Sequence, residues 1–487
     1  MAKSKKKKLS IEDALVPVEE QPYEIPKNWC WVKHNSILDI SGGSQPAKSH
    51  FISEPAEGYT QLYQTRDYGE HPIPVYIPNK YATKTTVEGD ILLARYGGSL
   101  GKVFRAHDGA YNVALAKVIK LYPSLLDDEF LFEYYFTQFY QDFCVKASKG
   151  RSAQAGFNRE DMDSIPFPLP PLAEQKRIVE QIESLFAKLD EVAEKAEIAL
   201  NNSYDRKNAI FKFAYSGKLT QKWRKNNHYI NNVLDEIRKY SLTLAKKEQR
   251  NIEECQKTIE EIVLEDGTVW YKTQIGSIGV VTNGSTPSRK CDEYWNGNIP
   301  WVSSGEVRNN IISYTREQIT ELGFENSSVK KLPKGTVLIA MIGEGKTRGQ
   351  SSVLDIEATT NQNVAAIVIE HGYINPKFLW YWLQKEYKKN REKGAGSGPQ
   401  ALNCQRVREL NFIVPSIEEQ NEIVNVLERL MEQEEQSTLS IENVLEQVVN
   451  IKKSILSKAF HGELGTNNPE EESAIELLKT ILDKEEC

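Results

Sequence analysis

"PLPPLAEQKRIVEQIESLF" occupies residues 168–186, and "IVPSIEEQNEIVNVLERLM" occupies residues 413–431. The two stretches carry nearly the same letters 245 positions apart, each after a proline-marked stop and at the start of an apolar-periodic run. Aligned without a gap, Phe157-Asn158 meets Leu402-Asn403, Pro170 meets Pro415, Glu174-Gln175 meets Glu419-Gln420, and Ile178-Val179 meets Ile423-Val424. The register persists to the far end, where Ala214, Gly217 and Leu219 of "KFAYSGKL" meet Ala459, Gly462 and Leu464 of "SKAFHGEL". Solenoid repeats run about 20–50 residues, so a period this long means two large units produced by duplication.

Upstream the echo is weaker. Trp29 followed by "ISGGSQP" (40–46) resembles Trp270 followed by "VTNGSTP" (281–287), and "EGDILLARYGGSLGKV" (88–103) resembles "KGTVLIAMIGEGKTRGQ" (334–350). Each half therefore reads as a variable globular head followed by a well-preserved helix. In the first helix Ile178, Ile182, Leu185, Leu189, Val192, Ala196 and Ala199 step by four and three, a heptad seam. The second shows Ile423, Leu427, Leu430, a polar gap at Glu434 and Ser437, then Ile441, Val444, Val448, Ile451 and Ile455. Neither run contains Gly or Pro, and a helix of about 43 residues is ~65 Å long. So narrow a stripe needs a partner helix, and the best candidate is its own copy. Two equivalent units meeting by one surface are related by an approximate two-fold axis; if that axis crosses the helices, they lie antiparallel.

At 487 residues the chain is too long for one ordinary core. Its 40% hydrophobic and 26% charged residues are ordinary globular composition. The lysine-rich start "MAKSKKKKLS" lacks the apolar core of a signal peptide, and no stretch reaches the ~20 apolar residues of a membrane span, so a cytoplasmic protein without membrane contact is expected. Six scattered cysteines, with no C-x-x-C, read as reduced structural thiols. The net charge of −7 conceals segregation: the tail "NNPEEESAIELLKTILDKEEC" is acidic, whereas 146–159 and 388–408 are basic.

"AMIGEGKT" (340–347) ends like a phosphate-binding loop, but Ala340 stands where that loop needs glycine and "RGQSSV" follows where a helix should. The seven histidines show no metal-ligand spacing, and neither a nucleophile elbow nor a dinucleotide fingerprint is present. No catalytic and no metal residues are expected. What the chain offers twice is a set of polar and basic loops, with Arg66, Arg95, Tyr96, Ser99, Lys102, Lys149, Arg151, Ser152, Gln154 and Asn158 in the first half. Ser303, Ser304, Arg308, Lys346, Thr347, Arg348, Gln350, Gln400, Asn403 and Arg406 stand in the second. Arg and Lys neutralise phosphates, and Arg, Asn and Gln pair with guanine or adenine edges, although Asn158 and Asn403 also suit turn caps.

The doubled "P-x-x-E-Q-x-x-I-V" helix starts, the "A-x-x-G-x-L" ends and the variable stretch before each resemble the specificity subunit of Type I restriction-modification systems. The resemblance covers nearly the whole chain. It implies an α+β fold of two pseudo-symmetric mixed α/β target recognition domains joined by two long antiparallel coiled-coil helices. It further implies a non-catalytic subunit that reads one half of a bipartite, asymmetric double-stranded DNA site with each domain. Its implied partners are two adenine-N6 methyltransferase subunits using S-adenosylmethionine, and restriction subunits using ATP and Mg. The expected layout is a basic tail at 1–20, recognition domains at 21–171 and 264–415, and conserved helices at 172–219 and 416–464. A charged helical connector at 220–263 and an acidic helical tail at 465–487 complete it, both expected to favour partner contact. His34 departs from the pattern, standing where an apolar residue is expected. A coiled-coil adaptor that bridges proteins without reading DNA is the competing expectation.

Overall fold

The computed structural model describes residues 9–149, 156–163, 165–227, 232–247, 259–343, 345–392 and 402–484. The chain forms two compact units, one of Met1–Glu197 with Glu442–Cys487 and one of Ile198–Ile441. Each unit holds one globular head and a segment of both long helices.

In the first unit, Cys30–Lys33 pairs antiparallel with Pro166–Leu169, the strand that leads into the long helix. A four-stranded antiparallel sheet runs in the order Leu38–Gly42, Leu115–Lys120, Ile91–Ala94, Val103–Arg105. Ile91, Leu92, Leu93 and Ala94 are all buried, the continuous apolar signature of a strand covered on both faces. A second sheet places Tyr59–Tyr63 parallel to Gly109–Tyr111. The core joins these strands to the aromatic helices Asp128–Tyr134 and Gln138–Lys149.

The second unit repeats this plan. Val269–Gln274 pairs with Asn411–Val414, the strand before the second long helix. Val280–Asn283, Val364–Val368, Val337–Ala340 and Ser351–Leu354 follow in the same order as the first sheet, with Ile311–Ile312 added at the edge. Trp295–Val302 runs parallel to Thr359–Thr360 as Tyr59–Tyr63 does to Gly109–Tyr111. Glu260–Val263, which the sequence assigns to the connector, pairs as a hairpin with Val269–Gln274. The helix Val233–Lys247 buries Val233 and Ile237 in the core of this head. In the first unit the C-terminal helix Ala474–Lys484 likewise buries Ala474, Leu478 and Leu482, beside the short helix Ile11–Ala14. Both segments expected to favour partner contact thus spend an apolar face inside their own unit.

The second long helix is continuous over Ile417–Phe460. The first is interrupted at Asn202, between Leu172–Asn201 and Ser203–Ala214. Arg206 accounts for the local repair: its guanidinium donates to the Ala199 carbonyl at 2.9 Å and to the Glu434 carboxylate at 3.0 Å. In the second unit Ser203 lies 3.4 Å from Thr438 and Arg206 pairs with Glu434, so the helix segments run antiparallel. In the first unit Lys452 pairs with Asp190 at 2.5 Å and sits 4.9 Å over the Phe186 ring, while Ile178, Ile182, Leu456 and Phe460 share one core.

The seam needs one correction. Val192 is 44% and Val444 is 37% exposed, and Ile451 is exposed as well. The inward positions are Leu189, Ala193 and Ala196 on one helix and Ile441, Leu445, Val448, Lys452 and Ile455 on the other. After Leu189 and after Ile441 the pattern steps by four before three, and apolar residues on both alternatives left the letters ambiguous. Ile178, Ile182, Leu185, Leu189, Ile423, Leu427, Leu430, Ile441 and Val448 are buried or half-buried.

Candidate nucleic-acid interface

The E-Q pair fixes each head to its helix. Glu174 and Gln175 are fully buried, as are Glu419 and Gln420. The Gln175 amide donates to the carbonyls of Leu125 and Pro170 and accepts from the Asp127 backbone N–H at 2.8 Å. The Gln420 amide donates to Tyr373 and Pro415 and accepts from Asn375 at 2.9 Å. Asp127 and Asn375 are themselves the N-caps of the helices Asp128–Tyr134 and Pro376–Lys385. One glutamine therefore ties a strand exit, a cap and the long helix together, leaving no buried amide group idle. Burial raises the Glu174 carboxyl above the usual range, opposed by hydrogen bonds from Trp29 and Asn467 and by Arg177 nearby.

At one end of each main sheet the strand-connecting loops gather, and their backbones are braced identically. Ser44 N–H donates to Tyr111, Asn112 to Tyr63, Arg95 to Ala114 and Phe157 to Arg95. In the second head Ser285 donates to Thr360, Asn361 to Val302, Met341 to Asn363 and Leu402 to Met341. Gly43 and Gly284 are required by closeness: an added Cβ would lie 2.1 Å from the Asn112 carbonyl oxygen and 1.7 Å from that of Thr360. The turns that follow Tyr63 and Val302 both close as capping boxes, Gln64 with Asp67 and Ser303 with Glu306. Burial raises the Asp67 carboxyl, against the lowering effect of the Gln64 N–H and Arg66.

On these loops stand most residues anticipated from the sequence. In the first head Arg66, Lys102 and Lys149 are exposed, and Ser99 is half-buried. Arg95 serves as a brace, donating from Nε to the Val113 carbonyl at 3.0 Å and lying over the Tyr96 ring at 4.7 Å. Asn158 caps the helix Arg159–Met162 through Asp161 N–H. In the second head Ser303 and Ser304 form the box turn, and Arg308 donates from Nε to the Gly305 carbonyl. Lys346 is exposed, while Thr347, Arg348 and Gln350 are half-buried. Tyr387 donates to the Lys346 carbonyl at 2.6 Å, and Arg391 donates to that of Arg348, which pins this loop to the helix behind it. Asn403 caps Cys404–Arg408 through the N–H of Arg406. Arg151, Ser152, Gln154 and Gln400 lie outside the described residues.

Sequence reasoning missed the centre of each loop set. Val113 and Gln362 occupy the same turn of their braces, and Gln45 and Thr286 occupy the same place after the glycines Gly43 and Gly284. Thr286 donates its hydroxyl to Gln362 Oε1 at 2.6 Å. Aligning "YNVAL" (111–115) with "TNQNVA" (360–365) on their shared asparagine would have found them. Arg289, bidentate to Glu317 and 3.7 Å above the Trp295 ring, stiffens the adjoining loop and was missed as well.

Chemically, the surface offers cations, amides, hydroxyls and backbone donors. Among the described residues no group of three or more His, Cys, Asp or Glu could hold a metal. No helix of the described residues is long and apolar enough to cross a membrane.

The family model described as Type I restriction modification DNA specificity domain matches residues 26–200 and 268–447. The chain is 27% identical over 326 residues to the Type I restriction enzyme EcoBI specificity subunit of Escherichia coli, covering 64% of this chain and 63% of that protein. It is 33% identical over 165 residues to the MjaIX specificity subunit of Methanocaldococcus jannaschii, covering 32% of this chain and 37% of that one. These alignments thus span less than two thirds of either relative. A solved chain from work on complex assembly and conformational transition of the type I R-M system superposes with a TM-score of 0.63 at 17% identity, over 91% of this chain and all of that one.

Proposed function

The chain belongs to the Type I restriction-modification DNA specificity family, and from that premise we propose that it selects an asymmetric bipartite DNA site. One head reads each half, and the chain performs no chemistry itself. The observation that carries this reading is the doubled loop set: the backbone braces are the same in both heads, while the side chains they present differ. Arg66 answers to Gly305, Gln45 to Thr286 and Val113 to Gln362. A common frame with changed tips is what two readers of different sequences require. The exposed cations Arg66, Lys102, Lys149 and Lys346 serve the phosphates. The long helices are assigned the fixed gap between half-sites.

The partners proposed are two adenine-N6 methyltransferase subunits, which supply S-adenosylmethionine chemistry, and restriction subunits that use ATP and Mg. The work proposed for the complex is cytoplasmic. Competition binding of the complex with its modification subunits tests the reading. A specific duplex should outcompete random duplex by at least ~10³-fold at physiological salt. Equal affinity for all duplexes, with the complex intact, would contradict DNA readout and favour the adaptor role.

A further inference from the structure

Val113 and Gln362 stand at equivalent tips of the two loop sets, and their neighbours hold them rigidly. Asn112 N–H donates to Tyr63 at 3.0 Å, Asn112 Oδ1 accepts from Ala114 N–H at 3.1 Å, and Arg95 grips the Val113 carbonyl. Asn361 repeats this, with its N–H on Val302 and its Oδ1 accepting from Asn363 N–H at 3.0 Å. Each tip is a stiff pedestal that costs little further ordering on contact. Val113 is 44% exposed on its pedestal and Gln362 is exposed on its own. A single exposed valine is ordinary on a protein surface. Here it is the residue that a doubly braced turn presents, at the position where the other head presents an amide.

Resting on the DNA reading above, we propose that this tip position is a base-reading site in each head, with Val113 packing on the C5 methyl of a thymine in the major groove. An apolar tip finds one apolar partner on a base edge there, the thymine methyl. Gln362 reads its base by a different chemistry. Its Oε1 accepts the Thr286 hydroxyl and keeps a second lone pair while its NH2 donates, so it can read a purine edge, N7 with O6 of guanine or N7 with the N6 amino group of adenine.

The test is a thymine-to-uracil scan across the site, using competition binding by the complex with its modification subunits. In the wild-type complex one uracil in one half-site should lower affinity about fourfold, the effect of one unburied methyl. The Val113→Ala complex should bind thymine and uracil duplexes alike at that position. Gln362→Val should relax one position of the other half-site and leave the first unchanged. Uniform indifference of the wild-type complex to uracil overturns the Val113 contact and needs no variant to fold. An undiminished uracil effect in Val113→Ala overturns it as well. These failures leave a sequence-selective complex standing, whereas loss of all sequence preference in the wild type removes the DNA reading together with this proposal.

Discussion

Trp270 donates its indole N–H to the fully buried Glu419 carboxylate at 3.0 Å, as Trp29 does to Glu174 at 2.7 Å. The remaining partners differ. Glu419 also receives Thr220 at 2.6 Å and the Arg224 guanidinium at 2.5 Å, and that side chain is 6% exposed. Glu174 receives neutral groups, Asn467 at 2.9 Å and Thr466 at 3.4 Å. Removing Glu419 leaves part of a buried cation uncompensated, although Asp266 still holds Arg224 at 2.6 Å. Glu419→Ala should therefore destabilise its head by about 3–5 kcal/mol, and Glu174→Ala its own by about 1–3 kcal/mol. Hydrogen exchange of residues 269–274 and 30–33 reports each head separately; equal losses would contradict the assigned difference.

The corrected seam makes a sharp comparison between near neighbours. Val448 is 6% exposed and Val444 is 37% exposed on the same helix. Val448→Ser should cost about 1–3 kcal/mol, through lost burial and an unpaired hydroxyl, and Val444→Ser within about 0.5 kcal/mol of nothing. Chemical denaturation followed by hydrogen exchange in 441–456 checks this. A loss at Val444 as large as that at Val448 would restore the register first read from the sequence, which places both inward.

His34 gives a pH dependence of known sign. It is 2% exposed with Nε2 2.9 Å from the Tyr135 hydroxyl, and burial lowers its pKa to about 4, against a raising influence of Asp39. The unfolded chain takes up a proton near pH 6.5. Between those values the unfolded state binds more protons, so stability is full above pH 6.5 and is lost as pH falls through the window. The loss approaches about 2–3 kcal/mol near pH 4. His34→Gln should flatten that slope whatever its own offset, as measured by urea unfolding of the first head at pH 7, 5.5 and 4.5. An unchanged slope would contradict a neutral buried imidazole.

Lys346, exposed on its loop, is assigned to a phosphate. Lys346→Ala should reduce the slope of log affinity against log salt by about 0.9 and weaken all duplexes together. Titration at several salt concentrations reads both; a change confined to one sequence would move Lys346 from the backbone to a base.

The helices and their pairing were legible because letters repeat at one offset over a long apolar-periodic run. The heads were legible only in outline. Trp29 and Trp270 are 241 positions apart and Asn112 and Asn361 are 249, so insertions hide from ungapped alignment what the backbone hydrogen bonds make plain. Glu174-Gln175 and Glu419-Gln420 marked the repeat, yet their burial was not foreseeable, since polar residues in a first helical turn usually face water. Their carbonyl and indole partners come from segments about 45–150 residues away, a tertiary requirement that overrides local preference. Asn158 and Asn403 proved to be caps, the alternative that turn chemistry had offered. The tips Val113 and Gln362 carried no compositional signal, because one valine or glutamine in a loop is unremarkable until its pedestal is seen.

Sequencing of methylated adenines in a genome carrying this chain with its modification subunits, beside one carrying the Gln362→Val chain, tests the two-reader account most directly. The account predicts one asymmetric split motif with a constant gap, of which the variant alters a single half. A contiguous motif, or a change in both halves at once, would contradict it.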